Sequence, residues 1–421
     1  MVSTSQSPLG KLIPRRAAAL IDTAMRDTRV VLLNGARQSG KSTLAASISD
    51  STQSHWTSLD RASTRVSAQA DPTQFVREYP AMIIDEVQRV PELLLAIKEV
   101  VDFDATPGHF LLTGSSHVLS LRTTPDALPG RMETIELWPL SQGEIDSCPD
   151  GFVDAAFREG PQLRAGEAES RSSYVHRLVR GGFPEAVARE GQRRKKYHQS
   201  YVADLINREV VQLSQIERGP EMRALVKLLA VRNGNMLVVQ PLSKALGIAQ
   251  GTVAKYLALL EEIFLVKRIP AWASGETGRV VRAPKIAFVD SGIAAAVLGH
   301  DEAGLARVGS PVGALLEGFV ASEISRQLTW SQTQANLFHY RTKDQVEVDL
   351  VLENDRGEVI GIEVKATSTL RSEDFSGLRH LASRLSDRFL AGYVLYLGDE
   401  SLPMSDKLRG LPLNALWKAG A

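Results

Sequence analysis

A chain of 421 residues is too long for one ordinary core and predicts roughly two to four domains. Its 43% hydrophobic and 23% charged content is that of a soluble globular protein, and no apolar run approaches the ~20 residues that span a bilayer, so a membrane-crossing role is excluded. The single cysteine, Cys148, excludes an internal disulfide, and 49 basic residues against 49 acidic ones leave any nucleic-acid contact to local patches.

At the N-terminus Lys11, Arg15 and Arg16 precede Ala17-Ala18-Ala19-Leu20-Ile21. That stretch is too short for a signal-peptide core, so it reads as a helix and the protein as cytoplasmic. Val30-Val31-Leu32-Leu33 then reads as a buried strand, followed by Gly35-Ala36-Arg37-Gln38-Ser39-Gly40-Lys41-Ser42, a complete G-x-x-x-x-G-K-[ST] phosphate loop, and by a helix beginning at Thr43. The residues from Gly35 to Thr43 are the expected ATP-binding segment. The glycines let backbone N–H groups face phosphate oxygens at a helix N-terminus. Lys41 would reach the β and γ phosphates, and the Ser42 hydroxyl would ligate Mg²⁺.

Ala81-Met82-Ile83-Ile84-Asp85-Glu86 is an apolar strand ending in two carboxylates. Asp85 is placed to hold Mg²⁺ and Glu86 to orient or deprotonate the attacking water. A third strand runs into Thr113-Gly114-Ser115-Ser116, where Thr113 or Ser115 is expected to sense the γ-phosphate or position water. Arg131 precedes a further strand; it reads either as an arginine finger, in cis or toward a neighbouring subunit, or as a surface arginine in a turn. Strands alternating with helices predict a parallel α/β sheet with nucleotide at its carboxyl edge.

The strings LLNGARQSGKSTL, IIDEVQRVPELL, FLLTGSS and LPGRMETIELWPLS resemble successive motifs of a prokaryotic AAA-type ATPase family with a C-terminal domain of unknown function. GGFPEAV, APKIAFVDSG, GALLEGFVASEI, YRTKDQVEVDLVL and IEVKA follow in the same order. The resemblance implies an ATPase core over residues 1–165 and a helical lid over 166–220, with some members assembling as rings. The lid region carries the densest basic cluster, Arg193-Arg194-Lys195-Lys196-Tyr197-His198, which reads as a nucleic-acid contact or a solvated helix face.

Residues 221–290 predict a winged helix-turn-helix. A helix through Leu246, a turn at Gly247 and a second helix with Val253, Leu257 and Leu260 inward leave Gln250, Thr252 and Lys255 outward, where DNA-reading modules make contacts. A strand at Leu265–Pro270 and a turn through Gly275 and Gly278 to Arg279–Arg282 complete the wing. Such a module binds DNA or serves as a spacer or protein-docking element.

In the last segment, 300–421, Glu317 lies on an apolar helix, and Gln345–Leu352 and Val359–Lys365 alternate as strands. Neighbouring strands of this kind bring Asp349, Glu363 and Lys365 together. Carboxylates there suit Mg²⁺ or Mn²⁺, with Asp349 and Glu363 as ligands and Lys365 orienting water. The pattern Glu317, Asp349, Glu363-x-Lys365 resembles the PD-(D/E)XK nuclease superfamily, which implies an α/β restriction-endonuclease-like domain with these four residues catalytic. The whole reads as an ATPase acting on DNA through a metal-dependent nuclease site. The alternative is a nucleotide-switched DNA-binding or signalling ATPase whose last domain is a non-cleaving platform.

Overall fold

The computed structural model describes residues 6–7, 10–52, 54–115, 128–165, 169–210, 219–273, 283–307 and 309–420. They form two compact units, the first running to Leu140 with Phe183–Ala188 and Glu262–Phe264, the second holding Ser141–Gly182, Arg189–Glu261 and Leu265–Ala421. Among the described residues no helix is long and apolar enough to cross a membrane.

The first unit is built on five parallel strands: β1 (Val30–Asn34), β2 (His55–Ser58), β3 (Met82–Asp85), β4 (Phe110–Gly114) and β5 (Met132–Glu136). Their order across the sheet is β2-β3-β4-β1-β5. The central strand β1 is buried throughout because both faces are covered. Val30 and Leu32 join Met82, Ile84, Phe110 and Leu112 in one core, while Val31 and Leu33 join Ile83, Leu111 and Ile135 in the other. This alternation is the pleat at work, and each such side chain taken from water contributes roughly 1.5–3 kcal/mol. Helix α1 (Ala17–Ala24) covers one face, and α2 (Leu93–Phe103) covers the other with Leu93, Leu94, Ile97, Val100 and Val101 at helical spacing.

In the second unit, helices precede a six-stranded mixed sheet. Its antiparallel half is β6 (Ala335–Arg341), β7 (Glu347–Asn354) and β8 (Val359–Lys365). Beyond β8 the sheet continues in parallel through Phe389–Tyr396 and Leu408–Pro412. Helix α3 (Val312–Trp330) and helix α4 (Ser376–Leu385) pack on this sheet.

The expected boundary at residue 165 differs from the observed one at Leu140. Residues after Ser141 are tied to α3 instead: the Gln142 and Val153 N–H groups donate to Glu323 and Gln327. The expected lid also falls in the second unit, apart from Phe183–Ala188. Helices Val239–Leu246 and Gln250–Glu262 flank a turn at Gly247, with Val253, Leu257 and Leu260 buried, Gln250 and Lys255 exposed and Thr252 half-buried. Strand Val266–Ile269 pairs antiparallel with Lys285–Phe288. The expected wing turn and the Arg279–Arg282 segment lie outside the described residues, and so does Ser116.

Candidate functional sites

The strand ends Asn34, Ser58, Asp85 and Gly114 meet at one edge of the parallel sheet, and the phosphate loop springs from the first of them. Gly35 has φ +147°, and a Cβ there would lie 2.2 Å from the Leu137 carbonyl oxygen, so only glycine lets the loop pass β5. Lys41 opens a helix, Lys41–Thr52, and its buried ammonium donates to the carbonyls of Gly35 and Ala36 at 2.9 and 2.8 Å. The lysine is thereby folded back on its own loop. The Ser39 hydroxyl is buried without a hydrogen-bond partner among the described residues, Ser42 is half-buried, and Thr43 is exposed. Arg15, unsuspected as a site residue, braces the loop by donating to the carbonyls of Ser39 at 2.7 Å and Trp138 at 2.6 Å.

Asp85 is held from both sides: its oxygens accept from Thr113 at 2.6 Å and Ser58 at 3.1 Å. The Thr113 hydroxyl also accepts the Glu86 N–H at 3.0 Å, so Thr113 positions the carboxylate pair and is already engaged. Glu86 adopts a left-handed φ of 61°, turning its side chain out of the strand. Burial raises its pKa above the ordinary carboxylate value, against the pull of the Lys41 charge. A second unforeseen residue, Gln88, donates to both Glu86 and the Ser115 hydroxyl. Arg131 is not in this site. It immediately precedes Met132, which pairs with Val30 at the start of β1, and so lies at the opposite edge of the sheet with its guanidinium on Asp102. A finger role in cis is thereby corrected.

In the second unit the expected four residues do gather. The β7–β8 register pairs Leu350 with Ile362, and one step on it brings Asp349 opposite Glu363. Asp349 also accepts the Val364 N–H at 3.0 Å, and Lys365 lies 3.3 Å from Glu363. Glu317 is delivered by α3, which abuts a turn at Gly234 (φ +78°). A Cβ on Gly234 would come within 2.7 Å of the Glu317 Cβ.

A fifth residue changes the chemistry. Lys285, 2% exposed, places its ammonium 3.0 Å from Asp349, 2.9 Å from Glu347 and 3.8 Å from Glu317. Burial opposes its charge, yet the carboxylates of Asp349, Glu317 and Glu347 outweigh that and raise its pKa above the lysine range. Burial likewise opposes the Asp349 charge, but Lys285 and hydrogen bonds from Glu363 and Val364 hold that carboxyl below its usual range. Burial and the Asp349 charge push Glu363 up to about 9 and Glu317 up to about 8. The Asp349 charge is thus answered by an internal cation. As arranged, these residues do not fit a divalent ion, and among the described residues no group of three or more His, Cys, Asp or Glu is disposed to hold a metal. Of the two expected metal ligands, Asp349 faces the Lys285 ammonium at 3.0 Å and Glu363 the Lys365 ammonium at 3.3 Å. Lys285 lay in the string APKIAFVDSG, and its signal was a lone cation in an apolar strand, which burial obliges to find carboxylates.

Residues 27–146 match the AAA domain family. Residues 171–304 match a domain of unknown function (DUF8612), and 312–416 match another (DUF4143). Uncharacterized proteins of Mycobacterium tuberculosis and Mycobacterium bovis are each 29% identical over 417 residues, covering 97% of this chain and 86% of the relative. Among solved structures, a Walker-type ATPase of Pyrococcus abyssi covers 68% of this chain and 96% of its own at 15% identity, with a TM-score of 0.43. AMPPCP-bound DnaA of Aquifex aeolicus covers 62% of this chain and 92% of its own at 11% identity, with a TM-score of 0.29. The AAA match spans the phosphate loop and the Asp85–Glu86 pair just described, so the first unit is an AAA-type P-loop ATPase.

Proposed function

We propose that this protein is a nucleotide-switched ATPase that acts on DNA, with its C-terminal carboxylate cluster serving as a non-cleaving binding platform. The single observation that carries the platform reading is the Lys285 ammonium bonded among Asp349 and Glu347, where a nuclease would need a divalent ion. In the ATPase unit the donor set does suit Mg²⁺: a hydroxyl from Ser42 and a carboxylate from Asp85 are hard oxygen ligands. Bound with ATP, the ion would neutralise phosphate charge. Lys41 would leave its own loop carbonyls for the β and γ phosphates, and Glu86, made more basic by burial, would take the proton of the attacking water. The DNA reading is supported by the two helices around Gly247 and the antiparallel strand pair after them, an arrangement of the winged-helix kind with Gln250 and Lys255 exposed on the second helix.

The nuclease reading keeps one observation in its favour, the convergence of Glu317, Asp349, Glu363 and Lys365. A single assay separates the two. Single- and double-stranded DNA is incubated with wild type and Asp349→Ala, with and without ATP and with Mg²⁺ or Mn²⁺. The platform reading expects ATP-dependent binding and intact DNA from both proteins. Cleavage by wild type that disappears in Asp349→Ala would establish the nuclease instead.

A further inference from the structure

Strand β3 ends at Asp85, and the chain turns through Glu86 at a φ of 61° into one short helical turn, Val87–Arg89. Val87 and Val90, both fully buried in the core of the first unit, pin that turn. The Arg89 and Val90 N–H groups close it on the Glu86 and Val87 carbonyls at 3.0 and 3.1 Å. The Glu86 backbone is fixed as well, since its N–H donates to the Thr113 hydroxyl. Its side chain is another matter. Glutamate has several rotatable bonds, and a fixed backbone does not by itself choose among its rotamers.

Gln88 makes that choice. Its amide nitrogen carries two hydrogens, and both are engaged. One is donated to the Glu86 Oε2 and the other to the Ser115 hydroxyl at 3.1 Å. Ser115 is buried and directly follows β4, the strand that pairs with β3. Two cross-links therefore join the ends of these neighbouring strands. Thr113 ties down Asp85 and the Glu86 backbone, while Gln88 and Ser115 tie down the Glu86 carboxylate.

We propose that Gln88 is a positioning residue for ATP hydrolysis, aiming the Glu86 carboxylate at the attacking water, with Ser115 aiming Gln88 in turn. A general base works only within about 2.6–3.2 Å of the oxygen whose proton it takes, and a misplacement of about 1 Å can slow a reaction a hundredfold. Gln88 engages Oε2, which leaves Oε1 to meet the water. A neutral amide also holds the carboxylate without pairing it to a second positive charge beside Lys41. The bond is local, reaching from the second residue of a rigid turn back to the residue before it, so it survives only while that turn is intact.

The inference rests on the reading of Glu86 as the base, and the test lets the two fail separately. Full-length Gln88→Met keeps the length of the side chain and removes the amide. Its kcat for phosphate release is expected to fall about 10–100-fold, the range for losing a hydrogen bond to a charged group. KM and the affinity for a non-hydrolysable ATP analogue should stay within about twofold of wild type, a split that a merely structural residue would not give. Ser115→Ala should lower kcat by a smaller factor, and adding it to Gln88→Met should cost nothing more, because Ser115 acts through the amide. Factors that multiply in the double variant would overturn the Ser115 link. Glu86→Gln should remove nearly all turnover; wild-type turnover there would end the base reading and the positioning role with it. Turnover lost in Glu86→Gln but within about twofold of wild type in Gln88→Met would overturn the positioning role alone. So would a loss of analogue affinity in Gln88→Met as large as its loss of kcat/KM.

Discussion

The Thr113 hydroxyl does two jobs at once, donating to Asp85 and accepting from the Glu86 N–H, and that makes it a sharp test of the ATPase site. Thr113→Val keeps the shape and removes both bonds. A hydrogen bond to a charged group contributes roughly 1.5–3 kcal/mol, so kcat should fall about 10–100-fold if the bond matters mainly in the transition state. ATP affinity should hold, because Lys41 and the loop N–H groups are untouched. A steady-state phosphate-release assay reads the first quantity and a titration with a non-hydrolysable analogue the second. Lys41→Ala should abolish turnover outright. In the second unit Glu363 makes the prediction one of pH. Its pKa rises from 4.5 to about 9 on folding, so its contribution to stability is fully present below 4.5 and is lost as pH climbs through 9. Glu363→Gln, neutral at every pH, should therefore melt higher than wild type at pH 8 and show a flatter melting profile between pH 5 and 9. Equal slopes for the two proteins would show that Glu363 is ionised in the fold.

At the scale of elements, the loop from β1 into the Lys41 helix was legible because its determinants are local: an apolar strand, a glycine turn, and lysine and serine opening a helix. Strands β7 and β8 were legible from alternation, and one short connection suffices to place Asp349 opposite Glu363. Lys285 was not legible, because its partner Asp349 lies 64 residues away and strand periodicity says nothing about which strand ends converge. For the same reason helical spacing in residues 141–165 could not tell which core would receive them. Arg131 failed differently. A Pro-Gly-Arg turn before a strand reads alike at either edge of a sheet, and only the pairing of Met132 with Val30 locates it. Arg131→Ala should then leave kcat within about twofold of wild type. It should cost about 0.2–1 kcal/mol of stability through the lost Asp102 pair. A large drop in turnover in a concentrated sample, absent on dilution, would reveal a role toward a neighbouring subunit. Gly35→Ala tests the opposite case, a position set by close approach. Strain at that φ costs about 1–3 kcal/mol before the clash with the Leu137 carbonyl is counted, so chemical denaturation should show a clear loss.

Across the whole molecule the ATPase site and the carboxylate cluster belong to different compact units, each with its own core. If nucleotide governs what the second unit does, the link is a coupling free energy, and linkage makes it reciprocal. A tenfold rise in DNA affinity on binding an ATP analogue, about 1.4 kcal/mol, obliges DNA to raise analogue affinity tenfold as well. The expected outcome is that both factors exceed about fivefold and agree, measured by titrating each ligand in the presence and absence of the other. Lys285→Met should leave that coupling intact if the ammonium only balances Asp349, since the nucleotide contacts lie in the first unit. It should also lower the melting temperature, because a buried carboxylate left without its cation is costly, by about 3–5 kcal/mol where a whole buried pair is broken. Two unequal coupling factors would mean that hydrolysis or a change of assembly had entered one of the titrations. Equal factors of one would separate the two units functionally and end the switch reading, while leaving the ATPase and the platform each standing on its own residues.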